Sequence, residues 1–146
     1  MMMKQWPMMV AVVGAFAAGF GVHAATSPAA TAHAAADRVF EFRTYTAMPG
    51  KFEALKTRFR DHTIKSFEKN GITNIGYFIP QDAPLSENTI MYLLAYPSRE
   101  AAKASWAKFS ADPEWVKAKA ESEKDGKLVE KVVSVYADPA DFSQIK

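Results

Sequence analysis

The sequence contains no cysteine among its 146 residues. It therefore forms no disulfide bond, offers no N-terminal cysteine for lipidation after processing, and lacks the ligand for any thiolate metal site. A chain without disulfides has to be stabilised by its own hydrophobic core or by oligomerisation.

The sequence also lacks an excess of either charge. Lysine and arginine number 18 and aspartate and glutamate 16, which gives a net charge of +2. The basic residues are scattered along predicted helices, whereas nucleic-acid-binding proteins concentrate theirs in a patch or stripe. We therefore expect no nucleic-acid partner.

Histidine is scarce, and the common catalytic motifs are missing. His23 and His33 lie in the N-terminal leader, so His62 is the only histidine of the remaining chain. One histidine cannot supply a site of the His-His-carboxylate type, and it is poor evidence for haem ligation. The sequence has no phosphate-binding glycine loop, no paired-cysteine motif and no nucleophilic triad. We expect no metal and no cofactor, and no enzyme class is indicated.

A long apolar run occurs only at the N-terminus. Lys4 precedes apolar residues 8–22, and the sequence VHA then supplies a small-x-small cleavage pattern ending at Ala24. These features predict a Sec-type signal peptide over residues 1–24 and a periplasmic or secreted protein. The alternatives are cleavage after Ala34, where AHA repeats the pattern, and an uncleaved anchor, although a membrane span needs about 20 apolar residues. The Ala/Thr/Ser/Pro-rich residues 25–37 predict a disordered lead-in, and residues 38–146 the folded domain.

The folded part reads as strand, helix, strand, strand, helix, strand. Apolar residues recur every three or four positions after Pro49-Gly50, which indicates an amphipathic helix that ends at Asn70-Gly71. Two strands follow, and Ser98 is placed to cap the next helix. Asp112-Pro113 predicts a break and a new helix, because aspartate caps well and proline suits the first helical position. A strand over residues 127–137 and a polar tail complete the chain.

The order βαββαβ predicts an α+β domain, a ferredoxin-like subunit with helices on one face of its sheet. Trp106, Phe109 and Trp115 follow a helical spacing and are predicted to pack the helices onto the sheet. The other sheet face would be bare and apolar, and such surfaces usually mark an interface. We therefore expect a homodimer in which two sheets pack face to face as a dimeric α+β barrel.

The first strand carries an unusual polar row. Glu41, Arg43 and Tyr45 alternate with Phe40 and Phe42, so the two sets lie on opposite faces. If helix-facing positions are apolar, the phenylalanines lie beneath the helices and the polar row faces the barrel lumen or dimer interface. The same rule divides the third strand into a helix-facing set (Met91, Leu93 and Ala95) and a lumen-facing set (Ile90, Tyr92, Leu94 and Tyr96). The second and fourth strands show no pattern that assigns their faces.

The polar row has two interpretations. In a ligand-binding site, Arg43 would bind an acidic group bidentately, Tyr45 would orient the ligand, and Glu41 would hold the guanidinium. Tyr92 and Tyr96 would then contribute phenols to the same pocket wall. In a structural network, Glu41 and Arg43 would satisfy each other and specify register. The pattern favours structure for Glu41 and function for Arg43 and Tyr45.

His62 and Tyr45 are the two candidate catalytic residues. His62 follows Phe59 by three residues and is predicted on the apolar side of the first helix, where it could act as a general base. The alternative is a boundary core residue whose polar tip reaches water.

Four stretches of the sequence carry a family resemblance. FEFRTYTAMPGKFEAL contains an E-x-R-x-Y…P-G pattern made by Glu41, Arg43, Tyr45 and Pro49-Gly50. It is followed by the helix and strand segments FRDHTIKSFEKNGITNIGYF and LLAYPSREAAKASWAKFSADPEWVKA and by the ending DPADFSQIK. Over residues 38–146 these stretches resemble the NIPSNAP family, including its opening signature and its P-T-D-F-S-P close, with alanine and glutamine at positions 140 and 144 in place of threonine and proline.

The resemblance implies a ferredoxin-like subunit in a dimeric α+β barrel. That superfamily includes monooxygenases, haem-degrading enzymes and isomerases, but the family has no agreed reaction and fold kinship does not establish one. The first of three hypotheses is an exported dimeric barrel that binds a small acidic or aromatic metabolite between sheet and helices. The second is a cofactor-independent monooxygenase or isomerase with His62 or Tyr45 as proton shuttle. The third is a protein-interaction module with a purely structural lumen.

Overall fold

The computed structural model describes residues 38–146, so the predicted signal peptide and lead-in lie outside the described residues. The four strands are β1 (Val39–Ala47), β2 (Thr73–Phe78), β3 (Thr89–Tyr96) and β4 (Val129–Ala137). The α-helices are α1 (Phe52–Arg58), α2 (Ile64–Lys69), α3 (Arg99–Ala111) and α4 (Pro113–Ser122). A π-helical turn, Phe59–Thr63, joins α1 to α2, and a 3₁₀ turn, Leu85–Glu87, lies between β2 and β3.

The strands form one sheet in the order β2-β3-β1-β4, with every neighbouring pair antiparallel. Together with the helices that follow β1 and β3, this order confirms the predicted ferredoxin-like βαββαβ topology. None of the helices within residues 38–146 has the length and apolar character needed to cross a membrane.

The predicted helix ends are confirmed. The Ser98 hydroxyl accepts a hydrogen bond of 3.1 Å from the Ala101 amide at the start of α3. Asp112 caps α4 by accepting a bond of 3.0 Å from the Glu114 amide, and Pro113 is the first helical residue. After α2 the chain turns at Gly71, whose φ of 80° lies in the left-handed region that glycine adopts without a steric cost.

The main core lies between the sheet and the helices. It includes Leu55, Phe67, Tyr92 and Leu94, all nearly inaccessible to solvent. The prediction that Trp106, Phe109 and Trp115 belong to the core is confirmed: Phe109 is buried, and the two partly buried tryptophans pack against the core.

The predicted assignment of the strand faces is wrong. Glu41 is fully buried on the helix side of β1, with Arg43 and Tyr45 beside it, whereas Phe42 on the opposite face is 52 % exposed. In β3 the residues opposite the polar row in the β1 register are Leu94, Tyr92 and Ile90, and these are the core residues. The rule that helix-facing positions are apolar fails here because hydrogen bonds and an ion pair satisfy the buried polar groups.

The opposite face of the sheet, which we call the bare face, carries several exposed apolar side chains, namely Phe42, Met91, Val133 and Val135. One end of it holds a small buried cluster of Phe40, Leu93 and Ala95. The C-terminal tail, residues 138–146, lies beside this cluster, and Arg38 donates a hydrogen bond of 3.0 Å to the Lys146 carbonyl. The tail therefore covers one end of the bare face and leaves the rest exposed.

Candidate functional site

A cavity of about 470 Å³ opens between the sheet and the helices, on the side opposite the bare face. Its polar lining includes Arg43 and Tyr45 from β1, Arg58 from α1, and Lys119 and Glu123 from the α4 region. Its aromatic lining consists of Phe59, Phe67, Trp106, Phe109 and Trp115. The volume is within the range of small-molecule pockets in proteins, and so is the combination of aromatic walls with a few charged groups.

Glu41 is the fully buried member of the polar row and holds Arg43 in place. One carboxylate oxygen accepts hydrogen bonds from the Tyr96 hydroxyl at 2.7 Å and the Trp106 indole at 2.8 Å. The other accepts from the Ser134 hydroxyl at 2.6 Å and from the Arg43 guanidinium. Burial alone would raise the pKa of Glu41, but these hydrogen bonds and the Arg43 charge outweigh it, so the pKa is lowered from 4.5. Glu41 is therefore a buried, ionised structural group.

Arg43 lies above Glu41 and lines the cavity. Its Nε donates to the Tyr92 hydroxyl at 2.9 Å, its Nη2 to the Tyr45 hydroxyl at 3.2 Å, and its Nη1 to Glu41. The Trp106 ring covers the guanidinium, with its centroid 4.2 Å from Cζ. A guanidinium has five N–H groups, so these bonds leave one on each terminal nitrogen for a ligand.

The pKa of Arg43 is raised above its ordinary value. Burial would lower it, but the Tyr92 and Tyr45 phenols and the Glu41 carboxylate favour the charged form. The cavity therefore keeps a permanent positive group on its floor.

The three tyrosines of the predicted site occupy two layers. Tyr45 lines the cavity, whereas Tyr92 and Tyr96 are buried behind it and hold Arg43 and Glu41 in place. Burial raises the pKa of Tyr92 and, together with Glu41, that of Tyr96, so both stay protonated at neutral pH. Tyr45 alone among the three presents its side chain to the cavity.

The helical spacing predicts His62 on the apolar side of the first helix, and this prediction is wrong. The structure places it in the π-helical turn with its side chain exposed and outside the cavity lining. A π-helical turn pairs residues five apart instead of four. Thr63 therefore takes the position one helical turn after Arg58 on the same face of the helix, where it is buried and donates a 3.2 Å hydrogen bond to the Arg58 carbonyl. His62, one residue earlier, points outward.

Three cavity residues, Arg58, Lys119 and Lys127, were not predicted from the sequence. A signal for Arg58 exists, because it follows Leu55 by three residues on the apolar stripe of an amphipathic helix. Lys119 and Lys127 carry no local signal, because the fold alone brings them to the cavity. Ser134, which was also not predicted, lies outside the cavity lining and contributes by donating a hydrogen bond to Glu41.

The site offers binding chemistry for an anion rather than ligands for a metal. Within residues 38–146 no group of three or more His, Asp and Glu side chains is arranged to hold a metal ion. The cavity lining carries four basic side chains, from Arg43, Arg58, Lys119 and Lys127, against the two acidic ones of Glu123 and Glu130.

Comparisons with known proteins agree with this fold. The NIPSNAP family model matches residues 40–144. A NIPSNAP family protein of unknown function from Agrobacterium tumefaciens is 25% identical, with a TM-score of 0.66 over 76% of this chain and 96% of its own. A NIPSNAP-like domain protein from Burkholderia xenovorans is 23% identical, with a TM-score of 0.64 over 74% of this chain and 90% of its own.

A more distant structure is a putative antibiotic biosynthesis monooxygenase from Bacteroides thetaiotaomicron, 16% identical, with a TM-score of 0.53 over 72% of this chain and 91% of its own. At that identity the likeness shows the fold alone. The comparison with functionally curated proteins gave no match. The family model spans most of the described domain, including the strand with Glu41, Arg43 and Tyr45. The chain belongs to the NIPSNAP family.

Proposed function

We propose that this protein binds a small aromatic acid in the cavity between its sheet and its helices. The observation that carries the proposal is Arg43, a guanidinium held by Glu41 and two phenols on the floor of an aromatic-walled cavity. Its two remaining N–H groups can bind a carboxylate, and its orientation is fixed before a ligand arrives, which lowers the entropic cost of binding.

The aromatic walls support an aromatic ligand body. Trp106 and Trp115 line the cavity together with Phe59 and Phe109, so a flat ring would bury apolar surface against them. The hydroxyl of Tyr45 lies 3.2 Å from Arg43 Nη2 and is placed to orient the carboxylate.

Removing the Arg43 guanidinium should weaken the binding of biphenyl-4-carboxylate and benzoate. The test variant is Glu41→Gln/Arg43→Met, which removes both members of the buried ion pair and leaves no uncompensated charge. Hydrogen bonds to charged groups contribute about 1.5–3 kcal/mol, so we expect Kd to rise roughly tenfold or more. Calorimetric titration gives Kd, and quenching of tryptophan fluorescence reports the site, because two of the three tryptophans line the cavity.

Arg60→Met is the control for net charge. Arg60 is exposed on the π-helical turn and does not line the cavity, so its loss removes one positive charge without touching the site. The double variant leaves the net charge unchanged, so weakening by Arg60→Met would indicate a long-range charge effect, whereas we expect only the double variant to weaken binding. Unchanged binding in the double variant would contradict the proposal.

The two other hypotheses have less support. For a proton-transfer enzyme the cavity presents Tyr45 but not His62, which is exposed elsewhere on the surface. For an interaction module with a structural lumen, the polar row was expected to face the lumen, and it lies on the helix side of the sheet instead. Ligand binding is therefore the function that we propose.

The bare face supports the proposal of a homodimer. Its exposed apolar side chains, which include Phe42 and Val135, have no cover within residues 38–146 beyond the C-terminal tail at one end. Exposed apolar sheet surface of this kind is best covered by an equivalent surface on a second copy, because a two-fold axis pairs identical patches. Light scattering at micromolar concentration should then give twice the subunit mass.

An exported protein is the proposal for localisation, supported by the sequence of residues 1–24 alone. Intact-mass analysis of the protein from a periplasmic fraction should show removal of the chain through Ala24 or through Ala34. A full-length mass in the membrane fraction would contradict export by a cleaved signal peptide.

A further inference from the structure

We infer that Arg58 is a second ligand anchor and that the ligand is an elongated aromatic compound with an acidic group at each end. This inference rests on the proposed function, because it uses the same cavity and takes Arg43 as the first anchor. It adds the chemical class and the length of the ligand.

Arg58 is buried, but only one of its guanidinium nitrogens is hydrogen-bonded within residues 38–146. Its side chain is 4% exposed, and its Nη1 donates to Glu123 at 2.8 Å and to Ser122 at 3.4 Å. Its Nε has no hydrogen-bond partner among residues 38–146. Buried polar groups without partners are rare in native proteins and call for an explanation. A ligand oxygen supplies one here, because Arg58 lines the cavity.

The unused side of Arg58 has the geometry of a carboxylate site. Nε–H and the adjacent N–H of Nη2 are parallel, and this edge of a guanidinium binds a carboxylate through two hydrogen bonds. The other terminal nitrogen, Nη1, holds the internal partners Glu123 and Ser122. Nε is closed to water, so the inference requires the side chains around it to move when a ligand binds.

The π-helical turn contributes to this arrangement. It begins directly after Arg58 and is closed by the hydrogen bond from Thr63 Oγ1 to the Arg58 carbonyl. Arg58, Phe59 and Thr63 all line the cavity as a result. Single π-helical turns are uncommon and occur frequently at functional sites, where they re-aim side chains.

An aromatic wall connects the two guanidinium groups. Arg43 Cζ lies 4.2 Å from the Trp106 ring, whose centroid is 5.5 Å from that of Phe109. Phe109 lies 4.5 Å from Trp115, and Trp115 lies 5.5 Å from Arg58 Cζ. A ligand that reaches from one arginine to the other therefore passes along three aromatic rings, which suits a flat apolar body with polar ends.

The charges beside Arg58 favour an anionic second group. Lys119 and Lys127 line the cavity together with Arg58, and the acidic residues of the lining are Glu123 and Glu130. Arg43 is paired with Glu41, and among the other charged residues of the lining the basic ones exceed the acidic ones by one. A carboxylate is therefore a better match than a neutral hydroxyl for the second group.

The experiment compares two pairs of probes that differ only in the second carboxylate. The pairs are benzoate with terephthalate, and biphenyl-4-carboxylate with biphenyl-4,4′-dicarboxylate. One of the two pairs should have the length that lets its two carboxylates reach Arg43 and Arg58 together. In the wild-type protein, the dicarboxylate of that pair should bind roughly tenfold tighter or more than its monocarboxylate. Arg58→Met should abolish that preference, so that the dicarboxylate and the monocarboxylate of the pair bind with Kd values within about twofold of each other.

Three further variants separate a ligand anchor from a structural arginine. Arg60→Met, a neighbouring exposed position, should leave the preference intact. Glu123→Gln removes the internal partner of Arg58, so it should preserve or increase the preference while stability falls. Arg58→Lys keeps a positive charge beside Glu123, so it can replace Arg58→Met if Arg58→Met does not fold. Arg58→Lys should reduce the preference for the dicarboxylate, because an ammonium group cannot bind a carboxylate bidentately.

The outcomes also distinguish this inference from the proposed function. If the monocarboxylates bind through Arg43 but the dicarboxylates gain nothing, or keep their advantage in the Arg58 variants, the second anchor is wrong and the proposed function stands. If no probe binds to the wild-type protein, both are wrong.

Discussion

Replacing Glu41 with alanine should lower the free energy of unfolding by about 3–5 kcal/mol, the usual cost of removing one partner of a buried ion pair. Glu41 accepts four hydrogen bonds, and its loss leaves the Tyr96, Trp106 and Ser134 donors and the charge of Arg43 without their acceptor. Urea unfolding followed by circular dichroism gives the change. A loss under 1 kcal/mol would mean that water replaces the carboxylate at little cost.

The partner substitution tests whether the charge causes the loss. In Glu41→Gln/Arg43→Met, the glutamine carbonyl can accept from Tyr96 and Trp106, and its amide can donate to Ser134, whose hydroxyl both donates and accepts. In Glu41→Gln alone, the NH2 group of the glutamine faces either Arg43 or Trp106, depending on how the amide is oriented. Both of these side chains are donors and cannot accept a hydrogen bond from it. The double variant should therefore be more stable than Glu41→Gln. If it were less stable, the pair would contribute net stability as an ion pair.

The pH dependence of stability gives an independent measure of the same pair. The folded-state pKa of Glu41 lies below the ordinary 4.5, so its contribution is present above pH 4.5 and is lost as the pH falls through the folded-state value. The wild-type protein should lose stability more steeply in this acid range than Glu41→Gln. Parallel acid profiles for the two proteins would show that Glu41 is not held ionised.

The strand pattern of the sequence predicted which residues share a face, but not which face that is. Alternation places Glu41, Arg43 and Tyr45 together in any β-strand, and this part of the prediction is correct. The choice of face depended on an expected apolar surface beneath the helices. The acceptor capacity of Glu41 is met by Tyr96 of β3, Trp106 of α3 and Ser134 of β4. These partners lie 55, 65 and 93 positions away, so no local pattern revealed that the carboxylate could be buried.

Helix ends were predictable because their causes are local. Ser98, Asp112-Pro113 and Gly71 act within a few residues of their own positions, and the structure has each as the sequence indicated. The π-helical turn has no comparable signature. It shifts the helix by one residue between Arg58 and Thr63, and this shift moves His62 out of the site and Thr63 into it. A periodicity of 3.6 residues cannot register such a shift.

Replacing Val135 with lysine on the bare face should convert the proposed dimer to monomers. Val135 is 55% exposed in the single chain and pairs in register with Phe42, which is 52% exposed. In a two-fold interface each substitution occurs twice, and each valine contributes about 1.5–3 kcal/mol when buried, so the dimer Kd should rise roughly a hundredfold or more. Light scattering and sedimentation over a range of concentrations measure the change.

Val116→Lys is the matched control for this substitution. Val116 is 52% exposed on α4, away from the sheet, so the same change of residue at nearly the same exposure should leave the dimer intact. Unfolding at low protein concentration should show similar monomer stability for both variants, because neither valine belongs to the core. A wild-type protein that is monomeric at micromolar concentration would contradict the dimer. The tail, residues 138–146, already lies beside Phe40, Phe42 and Leu93, and it would then have to cover Phe42 more fully and reach Val135. Deleting the tail would in that case expose the sheet and cause aggregation.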